Sequence, residues 1–167
     1  MIYAVAAMFE FSPKPGAAKP DLYHDLVRAG EALIDGETDG TANMANIAAL
    51  IWQYIPDLNW AGFYRMNGNA LILGPFIGKP ACVRIALGEG VCGTAAASRK
   101  TQLIGDVHAF PGHIACDAAS RAELVVPVIQ NSVVIAVIDL DSPVAKRFDT
   151  LDAQGIEALA QSIAPFI

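Results

Sequence analysis

No uninterrupted apolar run of about 18 residues occurs in the 167-residue chain, although 54% of it is hydrophobic, so no segment could cross a bilayer as a helix. The basic n-region of a secretory signal is also missing, and the apolar opening MIYAVAAMFEF reaches Glu10 before any small-residue cleavage site. Together these absences argue against a membrane partner and predict a cytoplasmic protein, with Met1 or Met8 as its start. Basic residues number 11 against 17 acidic ones and cluster no further than Arg99-Lys100 and Lys146-Arg147, which leaves no cationic face for nucleic acid. A net charge of −6 suits a cationic or zwitterionic small molecule better, and it also serves solubility. Repeats and low-complexity tracts are lacking, and the length fits one domain with a substantial core.

Cysteine is scarce: Cys82, Cys92 and Cys116 are the only three, and all lie within 35 residues rich in Pro, Gly, His and Asp. In a reducing compartment an odd thiol set points to catalysis, redox sensing or metal binding rather than a structural staple. Neither a C-x-x-C nor an H-x-x-x-H pair is present, so a zinc site assembled from His108, His113, Cys116 and Cys82 lacks a ligand spacing. Cys92, in GEGVCGTAAASR, opens a predicted helix whose N-terminus would lower its pKa; the position fits a small buried residue equally well. Cys116, in DVHAFPGHIACD, has histidines that favour the thiolate and Asp117 that opposes it, while Cys82 has Lys79 and Arg84 nearby.

The organisation expected is an N-terminal arm over residues 1–20, carrying SPKPGAAKP, followed by a single domain over 21–167. Asp21 is expected to cap a first helix through Leu22, Leu26, Ala29 and Leu33 that stops at Gly36. Thr41 is expected to cap a second, with Met44, Ile47, Ala48, Ile51, Trp52 and Ile55 on its apolar face, ended by Pro56. NWAGFYRM and ALILGPF flank Asn67-Gly68-Asn69 as a hairpin. An irregular passage from Ile77 to Val91, a short helix Cys92 to Arg99 and a loop Gly105 to Asp117 follow. Strands Glu123 to Ile129 and Val133 to Leu140 close the sheet, and a final helix after Asp149 packs Leu151, Ile156, Leu159 and Ile163. The class is α+β: a central antiparallel sheet of about five to six strands flanked by helices, grouped on one face.

Acids and aromatics form a second set of candidates. Residues two apart on a strand share a face, so Asp139 and Asp141 would face one cavity with Glu123 nearby, unless Asp141 caps the turn at Ser142-Pro143. Such a pocket would receive an ammonium and offer a proton, because like charges held close raise a carboxyl pKa. Trp60 and Tyr64 share a strand face and would line that pocket or pack in the core.

Taken together, GPFIGKPACVRIALGEGVCGTAA, DVHAFPGHIACD, AELVVPV, IDLDSP and RFD resemble the free methionine-R-sulfoxide reductases, GAF-domain enzymes, from Met8 to the C-terminus. The resemblance implies a GAF-like fold and reduction of free L-methionine (R)-S-oxide to L-methionine, without a bound cofactor or metal. Electrons would come from thioredoxin, itself reduced by NADPH through thioredoxin reductase. It further implies Cys116 as the nucleophile that becomes a sulfenic acid, Cys82 as the thiol that forms the disulfide, and Cys92 as auxiliary thiol and rival nucleophile. Glu123, Asp139 and Asp141 would hold the substrate, with Glu123 or Asp141 protonating the sulfoxide oxygen, and Trp60 and Tyr64 would be the aromatic wall. Ala86, Glu89, Ala136 and the Gln130-Asn131-Ser132 turn depart from the family's usual residues without removing a catalytic group. A homodimer through the first two helices is a further expectation. The alternative is a GAF sensor that binds a cyclic nucleotide or similar ligand without turnover; such a domain needs no thiols.

Overall fold

The computed structural model describes residues 11–112 and 117–167. Helix α1, Lys19–Ile34, begins before Asp21: Ala18 is its N-cap and Pro20 falls in the first turn, where a missing N–H costs nothing. Asp21 therefore sits inside the helix as a first-turn acid, and the Pro/Gly arm is shorter than its composition suggests. Helix α2, Gly40–Tyr54, is capped by Asp39 rather than Thr41, the Asp39 carboxylate accepting from the Thr41 and Ala42 N–H groups at 2.8 and 2.9 Å. Its face buries Met44, Ile47, Ala48 and Ile51 but leaves Trp52 38% exposed, contrary to the expected stripe.

Strands β1, Trp60–Asn67, and β2, Ala70–Gly78, form the expected hairpin, with Gly68 at φ 61° in the turn. The passage read as irregular contains a short strand β3, Arg84–Ala86, paired to β2. Helix α3, Gly90–Ser98, starts two residues ahead of Cys92, and another short strand, β4, Gln102–Ile104, follows it. Strands β5, Ala122–Gln130, and β6, Val133–Ser142, meet at an Asn131-Ser132 turn in which both residues have positive φ. Helix α4, Thr150–Ile163, opens with a capping box between Asp149 and Asp152; Leu151 points outward at 41% exposure, while Ile156, Leu159 and Ile163 are buried.

The six strands make one antiparallel sheet in the order β3-β2-β1-β6-β5-β4. Strand alternation divides its residues between two cores. Ala61, Phe63, Leu124, Val126, Ile138 and Leu140 face α1, α2 and α4. Trp60, Tyr64, Val125 and Val137 face the other way, against Val91, Cys92, Ala95 and Ala96 of α3. The helices thus do not share one face. Of the described α-helices, α3 packs on the second, and Gly93 permits its approach to β3, since a Cβ there would lie 2.3 Å from the Ala86 carbonyl oxygen. None of the described helices is long and apolar enough to cross a membrane.

Candidate active site

Between α3 and its face of the sheet lies a small cleft lined by Trp60, Tyr64, Cys92, Glu123, Asp139 and Asp141. Antiparallel register builds its floor. Trp60 pairs with Asp141 and Asp141 with Glu123, so one row across β1, β6 and β5 carries an indole and two carboxyls. Asp139 stands between Gly62 and Val125 in the adjacent row. Strand β6 continues through Ser142, which is why Asp139 and Asp141 both reach the cavity. The turn beyond is held by Ser142, whose Oγ donates to the Asp57 carbonyl at 2.6 Å and accepts from Val144 N–H at 3.1 Å, so Asp141 is not its cap.

One wall is aromatic. Tyr64 stacks on Trp60 with ring centroids 5.8 Å apart, and Trp60 stacks on Phe76 at 5.1 Å. Gly62 makes room for Phe76, because a Cβ at that position would fall 2.3 Å from the Phe76 Cβ. The indole Nε1–H donates to the Lys79 carbonyl at 3.1 Å, which fixes the ring. Phe76 was not anticipated as part of this stack; its signal was the glycine two residues beyond Trp60.

The acids are held against their ordinary ionisation. Burial first, then the charges of Asp139 and Asp141, pushes Glu123 well up. Burial likewise raises Asp139 to about 7, partly offset by a hydrogen bond from the Cys92 thiol. Asp141 is raised well above the usual range by burial, Asp139 and Asp117, with a hydrogen bond from Ser120 acting the other way. Asp139 is only 6% exposed, yet its Oδ1 has no hydrogen-bond partner among the described residues. A buried carboxylate oxygen without a donor is costly and calls for one.

Cys92 is buried at the third position of α3, and its thiol is pushed well up by burial, Asp139, Glu123 and Asp141. This reverses the lowering expected from the helix N-terminus. A helix end contributes about 0.3–1 kcal/mol and up to ~2 kcal/mol when partly buried, too little against loss of water and three neighbouring acids. Cys92 is a proton-bearing thiol in contact with Asp139. Its sulfur and the carboxylate oxygens of Glu123 and Asp139 lie within 4.8 Å of one another, so these three would be the ligands of any cation that entered.

Cys82 does not line the cavity. It is half-buried against the site-face core, directly after the cavity-lining Pro80 and Ala81. Cys116 and His113 lie outside the described residues; Asp117, next in sequence to Cys116, lines the cavity and bonds Lys79 Nζ at 3.1 Å. His108 sits in an exposed turn, its backbone N–H taken by Asp106, and is not among the cavity residues. The sequence reading missed Lys79 and Ser120 as parts of the wall and Asn59 as the residue that bonds Ser120 behind it, because their contacts join segments 19 to 61 residues apart.

The GAF domain family model matches residues 41–167. The chain is 50% identical over 145 residues to the free methionine-R-sulfoxide reductase of Escherichia coli, covering 87% of this chain and 88% of that protein. Among solved structures, the free methionine-R-sulfoxide reductase of Neisseria meningitidis in complex with its substrate superposes with a TM-score of 0.89 at 38% identity, covering 94% of this chain and 95% of that one. The fRMsr of Staphylococcus aureus in complex with substrate gives 0.82 at 45% identity, covering 86% and 94%.

Proposed function

This chain belongs to the GAF-domain family of free methionine-R-sulfoxide reductases, and from that membership we propose that it reduces free L-methionine (R)-S-oxide to L-methionine. The observation that carries the reading is the Trp60–Asp141–Glu123 row, its indole and Glu123 buried and Asp141 half-buried, with Asp139 Oδ1 beside it, which has no partner among the described residues. An α-ammonium answers Asp139, which titrates near neutrality and ionises when a cation arrives. The methyl group and chain of methionine answer the stacked indole and phenol rings. A sulfoxide oxygen leaves only when protonated, and Glu123 and Asp141, both pushed well above the usual carboxylate range chiefly by burial, are the groups suited to give that proton.

In this reading the Cys116 thiolate attacks the sulfoxide sulfur while a carboxyl protonates the oxygen. The oxygen passes to Cys116 as a sulfenic acid and methionine departs with the sulfur reduced by two electrons. The Cys82 thiol then displaces water from the sulfenic acid, forming a Cys82–Cys116 disulfide that the dithiol of thioredoxin reopens by exchange. Cys92 stays protonated and supports Asp139 through its hydrogen bond.

The test is loss of NADPH in the presence of thioredoxin and its reductase, with the free R epimer, the free S epimer and a peptide-bound sulfoxide as substrates. Turnover confined to the free R epimer is expected; equal turnover of R and S, or none, contradicts the proposal. A sensor of cyclic nucleotides is the poorer reading, since Glu89, Asp117, Glu123, Asp139 and Asp141 line the cavity and would repel a phosphate.

A further inference from the structure

Cys92, Glu123 and Asp139 reach one point of the cleft from three elements, α3, β5 and β6, and the sulfur and a carboxylate oxygen of each acid lie within 4.8 Å of one another. The sheet presets two of them: Glu123 pairs with Asp141 and Val125 with Asp139, so Glu123 and Asp139 are diagonal neighbours across the β5–β6 ladder. All three residues are buried, at 4%, 6% and 6% exposed. Asp139 lines the cleft, and its Oδ1 is buried with no hydrogen-bond partner among the described residues. Further acids, Glu89, Asp117 and Asp141, line the same cleft, whereas Lys79 on its wall is engaged by Asp117 at 3.1 Å. One thiol and two carboxyls are a donor set for a tetrahedral dication that accepts sulfur and oxygen together. Zn²⁺ fits that description, while Mg²⁺ and Ca²⁺ take oxygen ligands in larger number and gain nothing from the sulfur.

We propose that Cys92, Glu123 and Asp139 form an inhibitory zinc site: the three side chains hold Zn²⁺, water from the cleft takes the fourth position, and the ion stands where the substrate's ammonium would. The overlap with substrate rests on the proposed reductase reading; the site itself does not. Binding is coordination without a redox change. The Cys92 S–H bond breaks, an S–Zn bond forms, and the proton leaves to solvent. A dication can neutralise both acids beside the thiol, which a single ammonium cannot, and in a buried site that charge acts with little screening by water. The ion is therefore a competitor of the substrate rather than a cofactor of the reaction.

The experiment uses the reduced full-length chain carrying Cys82→Ser and Cys116→Ser, so that Cys92 is the one thiol left. Zn²⁺ binding is followed by calorimetry, and Cd²⁺ serves as the spectroscopic stand-in, since a thiolate bound to it absorbs in the ultraviolet by charge transfer. One equivalent of each metal is expected to bind, with the thiolate band appearing for Cd²⁺ and no comparable binding of Mg²⁺. Asp139→Asn and Glu123→Gln, added singly and each checked for a cooperative melting transition, are expected to weaken Zn²⁺ binding by at least about 100-fold, more than the loss of a residue that merely supports a ligand costs. Absence of the thiolate band, affinity indifferent to both substitutions, or Mg²⁺ binding as tight as Zn²⁺ overturns the proposal. In the same variant, free methionine-R-sulfoxide is expected to raise the apparent Kd for Zn²⁺ beyond what the free S epimer does by chelating the ion in solution. Sulfoxide that binds without displacing zinc overturns the overlap. Should the sulfoxide not bind at all, the reductase reading falls while the metal titrations still decide the site.

Discussion

Asp152 and Asp139 are buried to a similar degree, 1% and 6% exposed, in one small domain, yet their neighbourhoods are opposites. Asp152, at the start of α4, accepts from Lys19 Nζ at 2.6 Å, Tyr23 Oη at 2.8 Å and the Asp149 N–H at 2.7 Å, with Arg147 3.5 Å away. It ties α4 to α1, where Gly155 lets the Tyr23 ring seat so closely that a Cβ would lie 2.1 Å from its Cγ. Asp139, across the sheet, meets the Cys92 thiol and otherwise acids, and one of its oxygens has no donor among the described residues. Burial of a carboxylate therefore does not mark a functional site. What marks it is burial without the counter-charge that would make burial stable.

The contrast can be broken by substitution. Asp139→Asn is expected to cut the single-turnover rate at sub-saturating free methionine-R-sulfoxide by about 10²- to 10³-fold, through loss of its charge pair with the α-ammonium, while the melting temperature stays level or rises, because a buried acid without a cation is replaced by a neutral isostere. Asp152→Ala should do the reverse. It strands Lys19 and Arg147 and removes half of the capping box, for a loss of about 3–5 kcal/mol, or roughly 10 °C in a domain of this size, with the rate per folded molecule nearly unchanged. Calorimetry and rapid-quench kinetics on the same preparations read both effects.

pH sharpens the comparison, since the two regions respond with opposite sign. Asp139 has its pKa raised from 3.8 to about 7, so its contribution to stability is complete below about 4 and is lost as pH rises through about 7. Asp149, beside Asp152, is lowered to about 2, chiefly by its hydrogen bond from Lys19; its contribution is present above 3.8 and lost as pH falls through about 2. Melting curves of the substrate-free protein should therefore fall on both sides. Asp139→Asn should lessen the fall on the alkaline side alone, where Glu123 and Asp141 are also raised, and Asp149→Asn the fall on the acid side alone. The smallest effect belongs to the Lys14–Asp25 pair, whose lysine is exposed: Lys14→Ala should change stability by less than about 1 kcal/mol, because water screens it.

Much of this was legible in the sequence where the signal is local. The Asn-Gly turn, the long β5 and β6 runs, the shared face of Asp139 and Asp141, and the pairing of Trp60 with Tyr64 follow from a period of two and from turn chemistry. Strands β3 and β4 were not legible, because three residues carry no period. Asp39 outcompeted Thr41 as a cap since its carboxylate reaches two N–H groups at once. The thiol of Cys92 was misjudged for a related reason: its helix position is local information, whereas the acids that hold its proton arrive from β5 and β6. Ser120 and Asn59 were invisible in the same way, their bond spanning 61 residues of chain.

The most direct measurement is the methionine released in one turnover, without reductant, by the wild type, Asp139→Asn and Asp152→Asn, each shown folded by calorimetry at the assay temperature. Expected is stoichiometric release from the free R epimer by the wild type and by Asp152→Asn at comparable rates, with Asp139→Asn slower by at least about 10²-fold at sub-saturating substrate. Release by Asp139→Asn at the wild-type rate would contradict it.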